Sequence, residues 1–308
     1  MHWLIFKTTC FVSLSHPKIY ITLLAMQDLI RTIAATSLST QERPFAIYAC
    51  KQRQHLRSVP LLKPILVLIL KGEKQLGDDP AISCKEGQFV FIPATPDITL
   101  SNIPSSQGFM SLFIEFDPSE LDCSHLLPQD RNSASLKALV ESSHPTPEYF
   151  IGEQNSALVQ CATQLVEWST QAPKEMWGLR RKELIQLLYL QGYRYVHSVA
   201  QQSKINHKLV DLFRDNPSLR WNIQDVSQAL AMSESTLRRK LQAEGTNFSD
   251  LLRRVRLGYG MHLLQTTRLP IATISEQCGY QSQSRFTEKF KDRFGLTPIK
   301  LKQTHLTA

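Results

Sequence analysis

One sequence pattern occurs twice in the last third of this chain, and it restricts the fold more than any other feature. The first copy is IQDVSQALAMS, residues 223–233, followed by TLRRKL, residues 236–241. The second is IATISEQCGYQS, residues 271–282, followed by RFTEKF, residues 285–290. Apolar spacing and a serine before each basic segment predict a short helix, a tight turn and a second, serine-capped helix. This is the sequence form of a helix–turn–helix, whose second helix enters the major groove of DNA.

Positive charge is concentrated in the same part of the chain. Residues 204–308 hold 17 of the 35 Lys and Arg residues and 9 of the 27 Asp and Glu residues, which gives a net charge of +8. The first 203 residues hold 18 of each kind and are neutral. A basic domain joined to a neutral one indicates a polyanionic partner for one half of the molecule.

In the first copy, helical spacing divides the second helix into two faces. Leu237 and Leu241 are four residues apart and point inward, so that Ser235, Arg238 and Arg239 face outward. Arginine suits this position because its planar fork binds a guanine edge at two points and also pairs with phosphate. A solvated basic face is the alternative explanation for one such helix, and a second helix in register favours DNA binding.

The second copy has the same two faces, with phenylalanines in place of the leucines. Its inward positions are Phe286, Phe290 and Phe294. The outward residues, which we predict to contact DNA, are Gln283, Ser284, Arg285 and Lys289.

A stiff segment connects the two units. Residues 249–264 predict one continuous helix, on which Arg253 and Arg256 are available to phosphates. To read one face of the duplex, the two recognition helices must lie about 34 Å apart, which is one turn of DNA. The connecting helix therefore predicts a bipartite site read by a single polypeptide.

These motifs resemble those of the AraC/XylS family of bacterial transcription regulators. The similarity is carried by ALAMSESTLRRKL, by EGTNFSDLLRRVRL and by residues 271–298, which end in GLTP. The resemblance implies that Ser235, Arg238 and Arg239 in the first unit occupy base-facing positions, as do Gln283, Ser284 and Arg285 in the second. It further implies a cytoplasmic transcription regulator, more often an activator than a repressor, that binds double-stranded DNA and contacts RNA polymerase. The resemblance also allows a homodimer.

Three residues depart from the family pattern. Glu288 stands where arginine is common, which puts a favourable DNA contact there in doubt. Gly260 stands where the connecting helix usually has alanine, and glycine in a helix costs about 1 kcal/mol. Leu301 replaces an aromatic residue after the Thr-Pro pair.

The N-terminal half alternates short β-rich segments with turn signals. The predicted strands are Ala46–Lys51, Pro64–Lys71, Ala81–Cys84, Gln88–Ile92, Ile98–Ser101 and Gly108–Phe116. Short strands at close spacing predict an antiparallel sandwich or small barrel. The segment PILVLIL is apolar on both faces, as expected for a strand covered on both sides.

Helices are predicted after the strands, at Ser133–Ser142, Ser156–Gln171 and Leu179–Val199. The apolar stripe of the second helix packs on the barrel or pairs two subunits. Together with GQFVFIP, residues 87–93, this organisation resembles a cupin-type effector and dimerisation domain, which implies a small-molecule pocket inside the barrel without assigning its residues. The sequence thus predicts an α+β fold: an N-terminal cupin-like β-barrel with a helical tail, then an all-α domain with two helix–turn–helix units joined by a linker helix.

The expected boundaries are residues 26–200 for the effector domain, 201–206 for the linker and 207–308 for the DNA-binding domain. Residues 1–25 are apolar but are interrupted by Lys7, which is untypical of a secretory signal or a membrane span. Two explanations stay open: translation that starts at Met26 rather than Met1, and an ordinary terminal helix or strand.

Two other function classes were weighed against a regulator. A cupin-type enzyme with a DNA-targeting domain lacks a recognisable nucleophile, phosphate loop, metal triad or carboxylate pair, so no catalytic residue, metal or cofactor is expected. A non-specific architectural protein would bind DNA without preferring one site. The six cysteines are scattered, as is typical of reduced, packed thiols.

Overall fold

Two antiparallel sheets form the N-terminal half of the protein. The computed structural model describes residues 17–36, 43–126, 149–200 and 205–304. Its strands are β1 (Ala46–Cys50), β2 (Gln54–Leu61), β3 (Ile65–Lys71), β4 (Glu73–Leu76), β5 (Ile82–Lys85), β6 (Gln88–Ile92), β7 (Thr95–Ile103), β8 (Phe109–Glu115) and β9 (Phe150–Glu153). They pair as a five-stranded sheet, β1-β8-β3-β6-β9, and a four-stranded sheet, β2-β7-β4-β5. This cupin-like barrel matches the predicted fold class.

Strand β3 is buried on both faces, as its unbroken apolar sequence predicts. Its alternate side chains belong to two separate clusters, because successive residues of a strand point to opposite faces. Leu66, Leu68 and Leu70 pack against the helical layer. Ile65 and Val67 point into the barrel. The five-stranded sheet is therefore a middle layer between helices and the second sheet.

Three strands were not predicted from the sequence: β2, β4 and β9. β2 contains Pro60 and several polar residues, and β4 has only four residues and includes Lys74. Pairing with neighbours distant in the chain outweighs these weak local preferences. β9, for example, is held by β6 through a register that runs from Gln88 opposite Glu153 to Phe91 opposite Phe150.

Within the described residues, four α-helices accompany the barrel: α1 (Pro17–Ala35), α2 (Ser156–Gln171), α3 (Trp177–Leu190) and α4 (Tyr195–Ala200). The prediction of one helix over 179–199 was wrong, because the chain turns at Gly192 with a φ of +100°. The predicted helix over 133–142 lies outside the described residues. The stripe of α2 faces the core, where Leu158 and Leu165 are fully buried.

Helix α1 runs through Met26, which is buried together with Leu29. A terminal helix, one of the two explanations for this region, is thus present from Pro17 onward. Among the helices that the structure describes, none is both long enough and apolar enough to cross a bilayer.

The C-terminal third is entirely helical. Its helices are α5 (Ile205–Asp215), α6 (Ile223–Ala229), α7 (Glu234–Ala243), α8 (Phe248–Thr266), α9 (Ile271–Gln277), α10 (Gln283–Phe294) and α11 (Pro298–Gln303). The linker had been expected to extend to residue 206, but α5 already begins at Ile205. The backbone amides of Ile205 and Asn206 donate to the carboxylate of Glu244, which caps this helix and ties it to the end of α7.

The two helix–turn–helix units have different relations to the barrel. The first unit encloses its own apolar cluster, with Phe213, Leu237 and Leu241 at the centre. The cluster of the second unit, which contains Phe286 and Phe290, is continuous with the interior of the barrel. The first unit therefore has a cluster of its own, whereas the second shares one with the barrel.

Polar contacts accompany this docking. Arg214 on α5 donates two hydrogen bonds to the carboxylate of Glu115 on β8, at 2.5 and 2.9 Å. Burial would raise the pKa of Glu115, but the charge and hydrogen bonds of Arg214 outweigh it and lower the pKa to about 2. Arg293 on α10 donates to Asp97 on β7 at 2.6 Å.

Gly260 explains one departure from the family pattern. It lies on α8 where this helix crosses α10, and a β-carbon there would come within 2.8 Å of the Phe286 ring and 3.1 Å of Cys278 Sγ. Alanine is therefore unfavourable at position 260, because α8 and α10 approach each other closely there.

We predict that Gly260→Ala lowers the free energy of unfolding by up to about 2 kcal/mol, because overpacking of about 1–3 kcal/mol exceeds the helix preference of about 1 kcal/mol. Urea denaturation followed by circular dichroism measures this change. In a Phe286→Leu background the same substitution should cost less, since the ring atoms are gone. A gain in stability from Gly260→Ala in the natural background would contradict the packing argument.

Candidate nucleic-acid interface

The two helix–turn–helix units have the same backbone hydrogen bonds at the same positions. In the first, Met232 N donates to Ser227 O at 3.0 Å, and in the second Tyr280 N donates to Ser275 O at 3.0 Å. The side chains of Ser227 and Ser275 both return to a carbonyl three residues earlier, at 2.9 and 2.8 Å. Two copies of one sequence pattern thus produce two copies of one turn.

The two turns differ in the residue whose backbone lies in the left-handed region of φ and ψ. In the second unit it is Gly279, with a φ of +74°, which costs glycine nothing. In the first it is Ala231, with a φ of +50°. A β-carbon in this region is unfavourable, and the first turn is therefore the more strained of the two.

The first recognition helix, α7, presents the outward face that the sequence predicts. Ser233 caps it by accepting from Thr236 N at 3.2 Å, and Leu237 is fully buried. Ser235, Arg238 and Arg239 are exposed. Arg238 is 3.7 Å from Glu234, a surface ion pair that a phosphate or base edge can displace because exposed pairs contribute little.

The second recognition helix, α10, is capped by Ser282, which accepts from Arg285 N at 3.3 Å. Gln283, Ser284 and Arg285 are exposed at its first turn. Lys289 lies one turn further and pairs with Glu288 at 2.9 Å. Glu288 thus neutralises part of the basic face that its arginine counterpart would strengthen.

The two arginines of α8 that the sequence predicts to contact phosphates have different surroundings. Arg253 is exposed and donates to Asp250 one turn earlier. Arg256 donates to the carbonyl oxygens of Pro217 and Leu219, at 2.9 and 2.8 Å, and its guanidinium packs on Gly279. Arg256 thus holds the segment before α6 against the turn of the second unit. Because two of its donor nitrogens already bind carbonyl oxygens, it is less available to a phosphate than Arg253 is.

Sequence reasoning passed over two further exposed cations on the recognition helices, Lys240 of α7 and Lys291 of α10. Each lies near the C-terminal end of its helix, where the helix dipole also favours positive charge. Their helical position was available from the sequence, whereas their exposure is visible only in the fold.

A cavity of about 480 Å³ lies between the barrel and the C-terminal helices. Its walls include Leu56, Ile65 and Phe113 from the barrel and Tyr259 and His262 from α8, so it is not enclosed by the barrel alone, where the family resemblance places an effector pocket. The cavity is therefore bounded by both domains. No group of three or more potential metal ligands occurs among the described residues, and His55 pairs with Ser101 at 2.9 Å.

Two recognition helices on one continuous connecting helix define the class of the C-terminal third: a tandem helix–turn–helix domain that carries its positive charge outward. The comparisons with known proteins give the same result. Residues 226–304 match the family model described as a helix-turn-helix domain. The match spans both recognition helices and the connecting helix α8.

Curated relatives are similar in sequence to parts of this chain, and one of them matches over a longer stretch than the family model does. The urease operon transcriptional activator of Escherichia coli is 27% identical over 177 residues, which cover 54% of this chain and 57% of the relative. The regulator AdiY of E. coli K12 is 35% identical over 85 residues, 28% of this chain and 34% of the relative. The chain thus spans a third to somewhat over half of the length of these relatives.

Solved structures match over most of the fold. ToxT K231A of Vibrio cholerae superimposes with a TM-score of 0.60 at 16% identity, covering 87% of this chain and all of ToxT. ToxT with bound unsaturated fatty acid gives the same TM-score at 14% identity, with 87% and 99% coverage. At these identities the likeness concerns the fold, and it includes both the barrel and the helical domain.

We predict that Ala231→Gly raises the free energy of unfolding by about 0.5–1 kcal/mol, because glycine relieves the left-handed strain. Thermal unfolding of the full chain measures the gain. Ala229→Gly, at an exposed position at the end of α6, is the matched control and should lower stability, since glycine weakens a regular helix by up to about 1 kcal/mol. Equal losses from both variants would show that the turn is not strained.

Proposed function

We propose that this protein is a sequence-specific, cytoplasmic transcription regulator that binds double-stranded DNA through both helix–turn–helix units. The observation that carries the proposal is the pair of capped recognition helices with exposed polar and basic first turns, Ser235 to Arg239 on α7 and Gln283 to Arg285 on α10. Helix N-termini of this kind face base edges when the helix lies in the major groove.

The contacts divide by chemistry. Arg238, Arg239 and Arg285 can form paired hydrogen bonds to guanine, and the shorter Ser235, Gln283 and Ser284 can bond to neighbouring edges. Arg253 and Lys289 lie outside the first turns and would contact phosphates, which position the protein without reading sequence. The separation of the units is set by α8, which has no break from Phe248 to Thr266.

The proposal extends to control of transcription by a small molecule. Curated relatives are named as an activator and a regulator, which supports activation. Contact with RNA polymerase is part of the same proposal. ToxT, which shares the fold, has been solved with an unsaturated fatty acid. Because the cavity is bounded by both domains, a ligand there would contact both and affect their docking. A homodimer through the N-terminal domain completes the proposal.

The domain division follows from the same assignment: an effector domain up to residue 200, a short linker, and the DNA-binding domain beyond it.

In vitro selection from random duplexes tests the whole proposal. The selected site should contain two conserved segments one helical turn apart, and footprinting should show two protected patches per protomer. One patch, or preference for the site of less than about a thousandfold over random DNA, would reject it.

On the selected duplex, we predict that Arg238→Ala weakens binding by about 1–3 kcal/mol and relaxes base preference at one position. Arg253→Ala should weaken all sequences equally and reduce the slope of log affinity against log salt by about one. Fluorescence anisotropy at several salt concentrations measures both. Arg31→Ala, which removes an exposed charge from α1, is the control and should change neither quantity. Identical behaviour of Arg238→Ala and Arg253→Ala would contradict the division of roles.

A further inference from the structure

Glu288 stands at the centre of the outward face of the second recognition helix. It follows Phe286 by two residues and precedes Phe290 by two, and both rings are fully buried. At about 100° per residue, a side chain placed midway between them points away from the core. The Glu288 side chain is 61% exposed. It is therefore placed where a residue that reads bases would stand, and it takes no part in packing the helix.

The same position of the first recognition helix carries the opposite charge. Leu237 and Leu241 of α7 correspond to the two phenylalanines of α10 in the repeated pattern. The residue midway between these leucines is Arg239, and it is exposed. The two units thus present an arginine and a glutamate to DNA from equivalent positions, so the two segments of their site should differ in sequence.

A carboxylate restricts the bases that can lie opposite it. Lys289 Nζ donates to Glu288 Oε1 at 2.9 Å, and this hydrogen bond and the charge of Lys289 lower the pKa of Glu288. The carboxylate is then ionised at neutral pH and acts only as an acceptor. In the major groove, guanine and thymine present acceptors, which repel it, whereas cytosine presents only an amino group. Adenine presents an amino group beside the acceptor N7, so cytosine suits a carboxylate best.

Phosphates would repel a lone carboxylate, but cations surround Glu288. Arg285 lies three residues earlier and Lys291 three residues later, and both are exposed. With Lys289 they outnumber the two carboxylates of this face, Glu288 and Asp292. The ion pair between Glu288 and Lys289 lies at the surface, where such pairs contribute little. Lys289 can therefore turn to a phosphate while Glu288 faces a base.

We infer that Glu288 is a specificity-determining residue, which accepts a hydrogen bond from the N4 amino group of a cytosine in the DNA segment under α10. The inference rests on the proposed function and assigns one base pair of its site. Arg239, at the equivalent position of α7, favours guanine instead. Two similar protein units thus read two unlike DNA segments.

The test is in vitro selection with the full chain and with Glu288→Ala, followed by fluorescence anisotropy on the selected duplex. The base pair relaxed by Arg238→Ala marks the segment of the first unit, and the other segment belongs to the second. There the natural protein should select a G·C pair, and exchanging its two bases between the strands should weaken binding at least about fivefold.

The variants should change this preference in different ways. Glu288→Ala should bind the original and the exchanged duplex within about twofold of each other, because neither base then meets a charged partner. Glu288→Arg should prefer the exchanged duplex, because the guanidinium binds guanine O6 and N7.

Two other carboxylates provide matched controls. Glu276 is exposed on α9, outside the recognition helices. Asp292 is exposed on α10, four residues or about 6 Å closer to its C-terminal end. Glu276→Ala and Asp292→Ala remove the same charge as Glu288→Ala, and both should leave the ratio of the two affinities unchanged. Thermal unfolding of all variants should match that of the natural protein, because each replaced side chain is exposed.

A carboxylate that only repels phosphates gives a different result. Glu288→Ala would then raise the affinity for all duplexes equally and select the same bases as the natural protein, which would overturn the inference. A second segment that contains only A·T pairs would overturn it too. Both outcomes leave the two-segment site, and with it the proposed function, intact. If the natural protein selects no site at all, the proposed function fails and the inference falls with it.

Discussion

The buried cluster that joins α10 to the barrel holds the two halves of this protein in one arrangement. Phe286, Phe290 and Phe294 are fully buried, and they belong to the same cluster as Val67 and Ile69 of β3. Apolar burial of this extent is the dominant favourable term in folding and association. The second recognition helix is therefore positioned from behind by the effector domain, while its first turn stays exposed.

The first unit has less of this support, and the asymmetry has consequences. Its cluster lies around Phe213 and Leu241, with Leu62 after β2 packed against it, and polar contacts of α5, such as Arg214 with Glu115, also join it to the barrel. Polar contacts between domains exchange with water more readily than a shared apolar cluster does. A change of docking would thus alter the second unit more directly than the first, and α8 would transmit the change between them. The cavity bounded by β-strands and α8 lies at this junction.

Much of the DNA-binding domain could be predicted from the sequence because its signals are local. Serine caps, apolar steps of four residues and a left-handed turn residue act within a dozen positions, and they fixed both recognition helices and their outward faces. The strands were predicted less completely. β3 is evident from an apolar run that covers both of its faces. β4 has no such pattern, because hydropathy predicts an exposed position for Lys74, which is fully buried. Helix preferences alone predict that Gly260 destabilises α8. In the fold, α8 and α10 cross at this residue and leave little room for a β-carbon.

The sequence by itself determined the doubled helix–turn–helix, the outward-facing residues of its second helices and the presence of a β-rich partner domain. Only the tertiary structure decided how the two domains dock, that the guanidinium of Arg256 donates to carbonyl oxygens, and that Lys74 is buried beside Asn102. The physical reason is separation along the chain: Gln54 and Thr304 are 250 positions apart and form a hydrogen bond at 2.7 Å. Contacts of this kind leave no periodic signal in either segment, and they exist only once both surfaces have folded and excluded water between them.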